Sequence, residues 1–284
     1  MAPPSYSDLG KSTRDIFSKG YHFGLFKLNC KASTVGGVDI STGGTHSLDE
    51  GKVFGDLETK YKFPAYGVTL TEKWNTDNLL VTEISCQDKL VEGGKVAVEG
   101  VFSPDSGKKS GTLKSSYKSP NATIDVDVSG GDAKSLLVNG AVVLGYQGWL
   151  GGYQLTFDTV EGVLKKNNFA AGYSAGDFQI NTNIDNGETF AGSLYQRVNN
   201  RLEAGVQLSW TAGGESTTRF GLGARYLLDP CTAVRAKVNN QSQVGLGFEQ
   251  KLRQGITLTL STFIDGKNFK AGGHKIGLAL ELEQ

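Results

Sequence analysis

From Leu25 to the end of the chain, apolar and polar residues trade places at every second position. Phe26, Leu28 and Cys30 oppose Leu25, Lys27, Asn29 and Lys31. Over residues 52–63, Val53, Gly55, Leu57, Thr59, Tyr61 and Phe63 oppose Lys52, Phe54, Asp56, Glu58, Lys60 and Lys62. The same period of two recurs over residues 122–129, 202–210, 219–226 and 275–282, the last setting Ile276, Leu278, Leu280 and Leu282 against Lys275, Gly277, Ala279 and Glu281. Successive side chains of a strand point to opposite faces, so this pattern predicts strand after strand with one apolar face each.

Only the start of the chain has another rhythm. In residues 6–19 (YSDLGKSTRDIFSK), Tyr6, Leu9, Thr13, Ile16 and Phe17 fall at 3/4 spacing, with Lys11, Arg14, Asp15 and Lys19 on the other side. That spacing predicts an amphipathic helix. Gly20 and Gly24 follow it and permit a sharp redirection of the chain. The chain therefore divides into residues 1–24, helix and hinge, and residues 25–284, a continuous array of strands.

Composition agrees with many strands and tight turns. Gly accounts for 39 residues and Pro for only 6. The pairs Gly43-Gly44, Gly93-Gly94, Gly130-Gly131, Asn186-Gly187, Gly213-Gly214, Asn239-Asn240 and Asp265-Gly266 read as hairpin turns. Strand plus turn recurs roughly every 13–15 residues, giving about 18 to 20 strands of the length that spans a bilayer. The 29 Lys and Arg balance 29 Asp and Glu, which leaves no basic footprint for nucleic acid. Cys30, Cys86 and Cys231 are too few and too scattered for a disulfide framework or a zinc site, so no metal or cofactor is expected. His22, His46 and His274 have no nucleophile or metal ligand near them in sequence, and catalysis is not expected.

Alternation alone suits a soluble sandwich as well as a membrane barrel. A sheet this long, with no break between domains, has exposed edges unless it closes on itself. Closure at this strand number leaves a lumen too wide for side chains to fill. The polar face then lines water and the apolar face meets lipid, with Tyr61, Phe63, Trp74, Trp149, Tyr153 and Trp210 placed to form interfacial girdles. Residues 67–75 test this arrangement, because Glu72 shares its face with Val68, Leu70 and Trp74. A carboxylate facing lipid is costly and points to a functional role in dimer contact, bilayer thinning or regulation. The alternative is a local bulge that turns Glu72 inward. The opening residues carry no apolar core of a secretory signal, which argues against export to a bacterial outer membrane.

Several stretches resemble the animal mitochondrial voltage-dependent anion channels. These are PPSYSDLGKSTRDIFSKGYHFG at the start, then LETKYK, TEKWNTDN, FSPDSGKKSG, GYQGWLGGYQ, NNFAAGY, AKVNNQSQVGLG and DGKNFKAGGHKIGLALELE, in order along the chain. The run from Tyr226 through Asp229, Lys237, Asn239 and Asn240 to Gly245 is similar to the eukaryotic porin signature. The resemblance implies an all-β transmembrane barrel of about 19 strands, with the first and last strands parallel and the helix folded into the pore. It also implies a voltage-gated, weakly anion-selective pore of the mitochondrial outer membrane that passes ATP, ADP, phosphate and small metabolites. Nucleotide contacts carry over to Lys11 and Lys19, and dinucleotide contacts to Gln243, Val244, Gly245 and Ser261 through Asp265. Hexokinase, apoptotic regulators and a second copy of the chain are the partners it implies, with membrane lipids around the barrel.

Inward positions by alternation carry slightly more Lys and Arg than Asp and Glu, which predicts a mild preference for anions. The alternative is a set of solvated charges with no net selectivity. The helix is too apolar on one side to float free. Leu9, Ile16 and Phe17 are expected to pack on the inner wall near Val143, leaving Lys11, Arg14 and Lys19 to narrow the channel. A helix lying on the membrane surface is the alternative. A membrane scaffold, or a lipid scramblase working along the outer face near Glu72, is the second functional class compatible with this sequence.

Overall fold

The computed structural model describes residues 2–284 apart from Val35, Leu90, 132–134, 214–217, Asn268 and Ala271. Its strands are β1 (Leu25–Ser33), β2 (Val38–Ser47), β3 (Val53–Phe63), β4 (Val68–Asn75) and β5 (Leu80–Gln87). They continue as β6 (Gly94–Phe102), β7 (Lys109–Lys118), β8 (Ala122–Gly131), β9 (Ser135–Tyr146) and β10 (Trp149–Asp158). Next come β11 (Val163–Ala175), β12 (Phe178–Asp185), β13 (Thr189–Arg197), β14 (Leu202–Thr211) and β15 (Thr218–Asp229). The last are β16 (Thr232–Asn239), β17 (Gln243–Arg253), β18 (Ile256–Asp265) and β19 (Lys275–Glu283).

Each strand pairs with its sequence neighbour in an antiparallel ladder, and β1 pairs with β19 in a parallel one, closing a 19-stranded sheet. The parallel seam follows from arithmetic. Strands of a meander alternate in direction, so an odd last strand runs the same way as the first. Phe26 meets Leu278 and Leu28 meets Leu280 across it, so the apolar face continues through the seam.

Register turns the alternation into a skin. Val38, Tyr61, Leu70, Ile84, Val98, Leu113, Val128, Val138 and Phe157 are cross-strand neighbours in one row from β2 to β10. Most residues of that row, and the outward Trp74, Trp149 and Trp210, are exposed. Among the described residues no helix is long and apolar enough to cross a membrane. The strands bond their backbones to neighbouring strands on both sides all the way round, which is what a spanning sheet requires.

Several expected features are placed differently. The helix over residues 6–19 is two pieces, a 3₁₀ turn (Tyr6–Asp8) and an α-helix, α1 (Lys11–Ser18). Gly10 breaks them apart in the left-handed region, φ 69°, which glycine enters at little cost. Gly43-Gly44 and Gly130-Gly131 lie inside β2 and β8 rather than in turns. The Asp56 carboxylate lies across Gly43, where a Cβ would come within 2.6 Å of Asp56 Oδ1. Asn186-Gly187 does form a turn, both residues having positive φ. Gly214, of the expected pair Gly213-Gly214, lies outside the described residues.

Candidate functional site

The polar face of the sheet encloses the lumen, and the first residues of the chain are seated on its wall. The 3₁₀ turn lies against β9 and β10, and α1 against β13, β14 and β15. Leu9, Thr13 and Ile16 are buried, Thr13 and Ile16 to 2% exposure.

The seat is paved with inward-facing glycines. A Cβ at Gly152 would come within 2.9 Å of Leu9 Cδ1 and of Tyr6 Cδ2. At Gly223 it would lie 2.9 Å from Ile16 Cγ2, and at Gly221 3.2 Å from the Phe17 ring. Further round, Gly245 underlies Phe23, Gly247 underlies the Gly20 carbonyl, and Gly277 underlies the His22 carbonyl. Real Cβ atoms essentially never approach within 3.0 Å, so glycine suits several of the places where the helix and hinge lie closest to the wall.

The docking positions correct one expectation. Val143 is fully buried, in register with Thr123 and Gly152 on its two sides. Those neighbours meet the start of the chain: Thr123 Oγ1 donates to the Pro3 carbonyl at 2.6 Å, and Gly152 lies beneath Leu9. Ile16 and Phe17 are instead over Gly205, Gly221 and Gly223 on β14 and β15. The segment runs along the wall across several strands, so its two ends cannot share one docking residue.

The helix cations each have local partners. Lys11 pairs with Asp8 at 3.0 Å and Lys19 with Asp15 at 2.7 Å, both ammonium groups staying largely exposed. The Asp8 carboxyl is held below its usual range, chiefly by the Lys11 and Ser5 hydrogen bonds. Arg14 donates to the Leu9 carbonyl at 2.7 Å and to the Ser7 carbonyl, so it ties the 3₁₀ turn to α1. It is a staple across the Gly10 break as well as a cation in the lumen.

The hinge is held just as closely. His22 N–H donates to Ser261 Oγ at 2.9 Å. Burial pushes the His22 imidazole below its ordinary pKa, with Lys27 adding to the effect and Glu281 opposing it. Burial also pushes the Tyr21 phenol up to about 12, against the pull of Arg235. Of the expected dinucleotide set, Ser261 and Gly245 are thus engaged by the hinge, and Gln243 and Asp265 face each other at the ends of β17 and β18. Val244 shares the outward face of Leu246 and Phe248, so strand alternation separates it from the others.

Ion pairs line the opposite arc of the lumen. Glu58 bridges Lys60 and Lys73 at 2.7 and 3.0 Å, and Lys114 bridges Glu99 and Glu83 at 2.6 and 3.2 Å. Asp39 and Glu283, further inward acids, pair with Lys62 and Lys31. On the outside, Glu72 is exposed between Thr59 and Thr82 in unbroken register, which excludes the bulge that would turn it inward. Among the described residues no group of three or more His, Cys, Asp or Glu could hold a metal ion.

A closed sheet with an apolar outer skin and a charged interior defines a membrane β-barrel pore. The chain belongs to the eukaryotic porin family, whose model matches residues 2–277. It is 59% identical over 283 residues to the voltage-dependent anion-selective channel of Drosophila melanogaster, covering 100% of both chains. It is 54% identical to the non-selective voltage-gated ion channel VDAC2 of Xenopus laevis, covering 99% of each. With the human protein of the same name the identity is 53%, over 99% of this chain and 95% of that one. A mutant porin of Rh. blastica superimposes with a TM-score of 0.50 at 12% identity, covering 86% of this chain and 98% of that one, a likeness of fold alone.

Proposed function

We propose that this chain is a voltage-gated, weakly anion-selective pore of the mitochondrial outer membrane that passes ATP, ADP, phosphate and other small metabolites. The observation that carries this reading is the amphipathic N-terminal segment seated inside a closed 19-stranded barrel. It narrows the lumen from one side and presents the exposed ammonium groups of Lys11 and Lys19 to solutes. The names of all three relatives support voltage gating, and that of the Drosophila melanogaster channel supports the anion preference. Selectivity set by charges in a wide pore is mild and is screened by salt. Purified protein in a planar bilayer under a salt gradient tests the proposal. Large single-channel steps, a small reversal potential of anionic sign and partial closure at higher voltage of either sign are expected; insertion without conductance would overturn it.

Glu72 favours a second activity alongside the first. A carboxylate between two threonine hydroxyls on the lipid-facing surface gives headgroups a polar foothold at a depth where the bilayer is otherwise apolar. Lipid scrambling by reconstituted protein, reduced in Glu72→Gln with conductance unchanged, is the expected result, and equal rates would remove this activity.

A further inference from the structure

Lys237 is an inward cation held by something other than an ion pair. Arg225 and Arg235 face Glu203 and Glu249, whereas no carboxylate pairs with Lys237 among the described residues. Its Nζ donates to the Phe17 carbonyl, in the last turn of α1, at 2.6 Å. The same atom lies 4.1 Å from the centroid of Tyr21 and 5.1 Å from that of Phe23. Those rings pack on each other, and Phe23 packs on Phe263, each pair with centroids 5.4 Å apart. The cross-strand neighbours of Lys237 are Gly223 and Gly245. A Cβ at Gly245 would touch the Lys237 stem at 3.0 Å, so the side chain lies flat along the wall beneath the hinge.

Each contact has a physical rationale. The last carbonyls of a helix are unsatisfied and carry partial negative charge, which a cation relieves. An ammonium over two aromatic faces, away from bulk water, is bound more tightly than an exposed one. We propose that Lys237 is a positioning residue that latches the N-terminal helix to the pore wall, gripping the end of α1 and the hinge rings with one ammonium group. Releasing the helix means breaking both contacts together and leaving the Phe17 carbonyl unpaired. The strength of this grip therefore sets how readily the helix leaves its seat, and with it the voltage at which the pore closes. That last step rests on the pore reading above.

The test uses full-length protein with Cys30, Cys86 and Cys231 replaced by Ser and a reporter Ile16→Cys, at a position buried in the seat. Lys237→Met is expected to raise maleimide labelling of the reporter on the order of tenfold, as a desolvated cation–π contact and a charge-assisted hydrogen bond are lost. Tyr21→Leu with Phe23→Leu leaves every charge in place and is expected to raise labelling several-fold without moving the reversal potential. Both variants are expected to shift the half-closing voltage in bilayers while the thermal melt of the barrel stays put. Unchanged labelling in both would overturn the latch. So would a Lys237→Met variant that changes only the reversal potential, as an ordinary pore charge would. Labelling needs no conduction, so a chain that responds in the labelling assay but forms no channels would refute the pore and leave the latch standing.

Discussion

Two arcs of the same inner wall meet different demands. From β14 through β19 many of the inward positions that face the helix and hinge are glycines, and Lys237 among them serves the seated segment. From β3 through β8 no helix lies on the wall, and the inward positions carry the Glu58 and Lys114 ion-pair networks. The outer skin of the two arcs is alike. Strand geometry fixes only that every second residue faces inward; what that residue is depends on whether it meets protein or water.

The largest effect is expected where protein meets protein. Gly223→Leu would drive a side chain into Ile16 and Phe17, and overpacking of this kind costs about 1–3 kcal/mol locally. The seated segment should come away, seen as rapid proteolysis after Lys19, while the barrel still melts as a unit. An intact, protected helix in this variant would show that the seat is not a close fit. An enlargement away from the inner wall, Gly111→Leu on the outer face of β7, meets no atom nearer than 3.9 Å and should leave the helix protected.

A smaller effect, of another kind, is expected on the charged arc. Lys114→Met leaves Glu83 and Glu99 without their shared cation. Reversal potentials should move toward cations, more so in dilute salt, with the helix undisturbed. Loss of helix protection in Lys114→Met would erase the distinction between the arcs.

The smallest effect belongs to the hinge. The docked His22 has a pKa below its ordinary value, so the seated form binds fewer protons than the released one. Docking is therefore fully supported above the ordinary value of about 6.5 and weakens as the pH falls through it toward the lower folded value. Spin labels at Cys231 and at Ser18→Cys, with Cys30 and Cys86 replaced by Ser, should report a broader distance distribution near pH 5.5 than near pH 7.5. His22→Gln should abolish that difference; a pH response that survives the substitution would assign it to another group.

The barrel was legible in the sequence because lipid imposes its demand on every strand separately. Leu278 and Leu280 must be apolar whatever lies across the lumen, so the period of two survives to the last segment. The seat was not legible, although its signature is present in Phe220-Gly221-Leu222-Gly223 and Val244-Gly245-Leu246-Gly247, where glycine replaces the polar partner in the alternation. A glycine facing the lumen reads equally well as a wide spot or a bend until the helix is laid over it. Gly43-Gly44 was misplaced for the same reason. Gly10 within a helical pattern, and Ile16 and Phe17 docking several strands away from Val143, depend on the path of the segment across the wall, which no local rule contains.

The parallel seam has a consequence for how the molecule is made. Every other ladder joins strands close together in the chain and can form as soon as its hairpin is complete, whereas β1 has to wait for β19, the last strand to be synthesised. Until then β1 and β18 present unpaired backbone that a bilayer will not accept. A chain that ended before Leu278 would lack the residues of β19 that pair with β1, and the sheet would stay open along that edge.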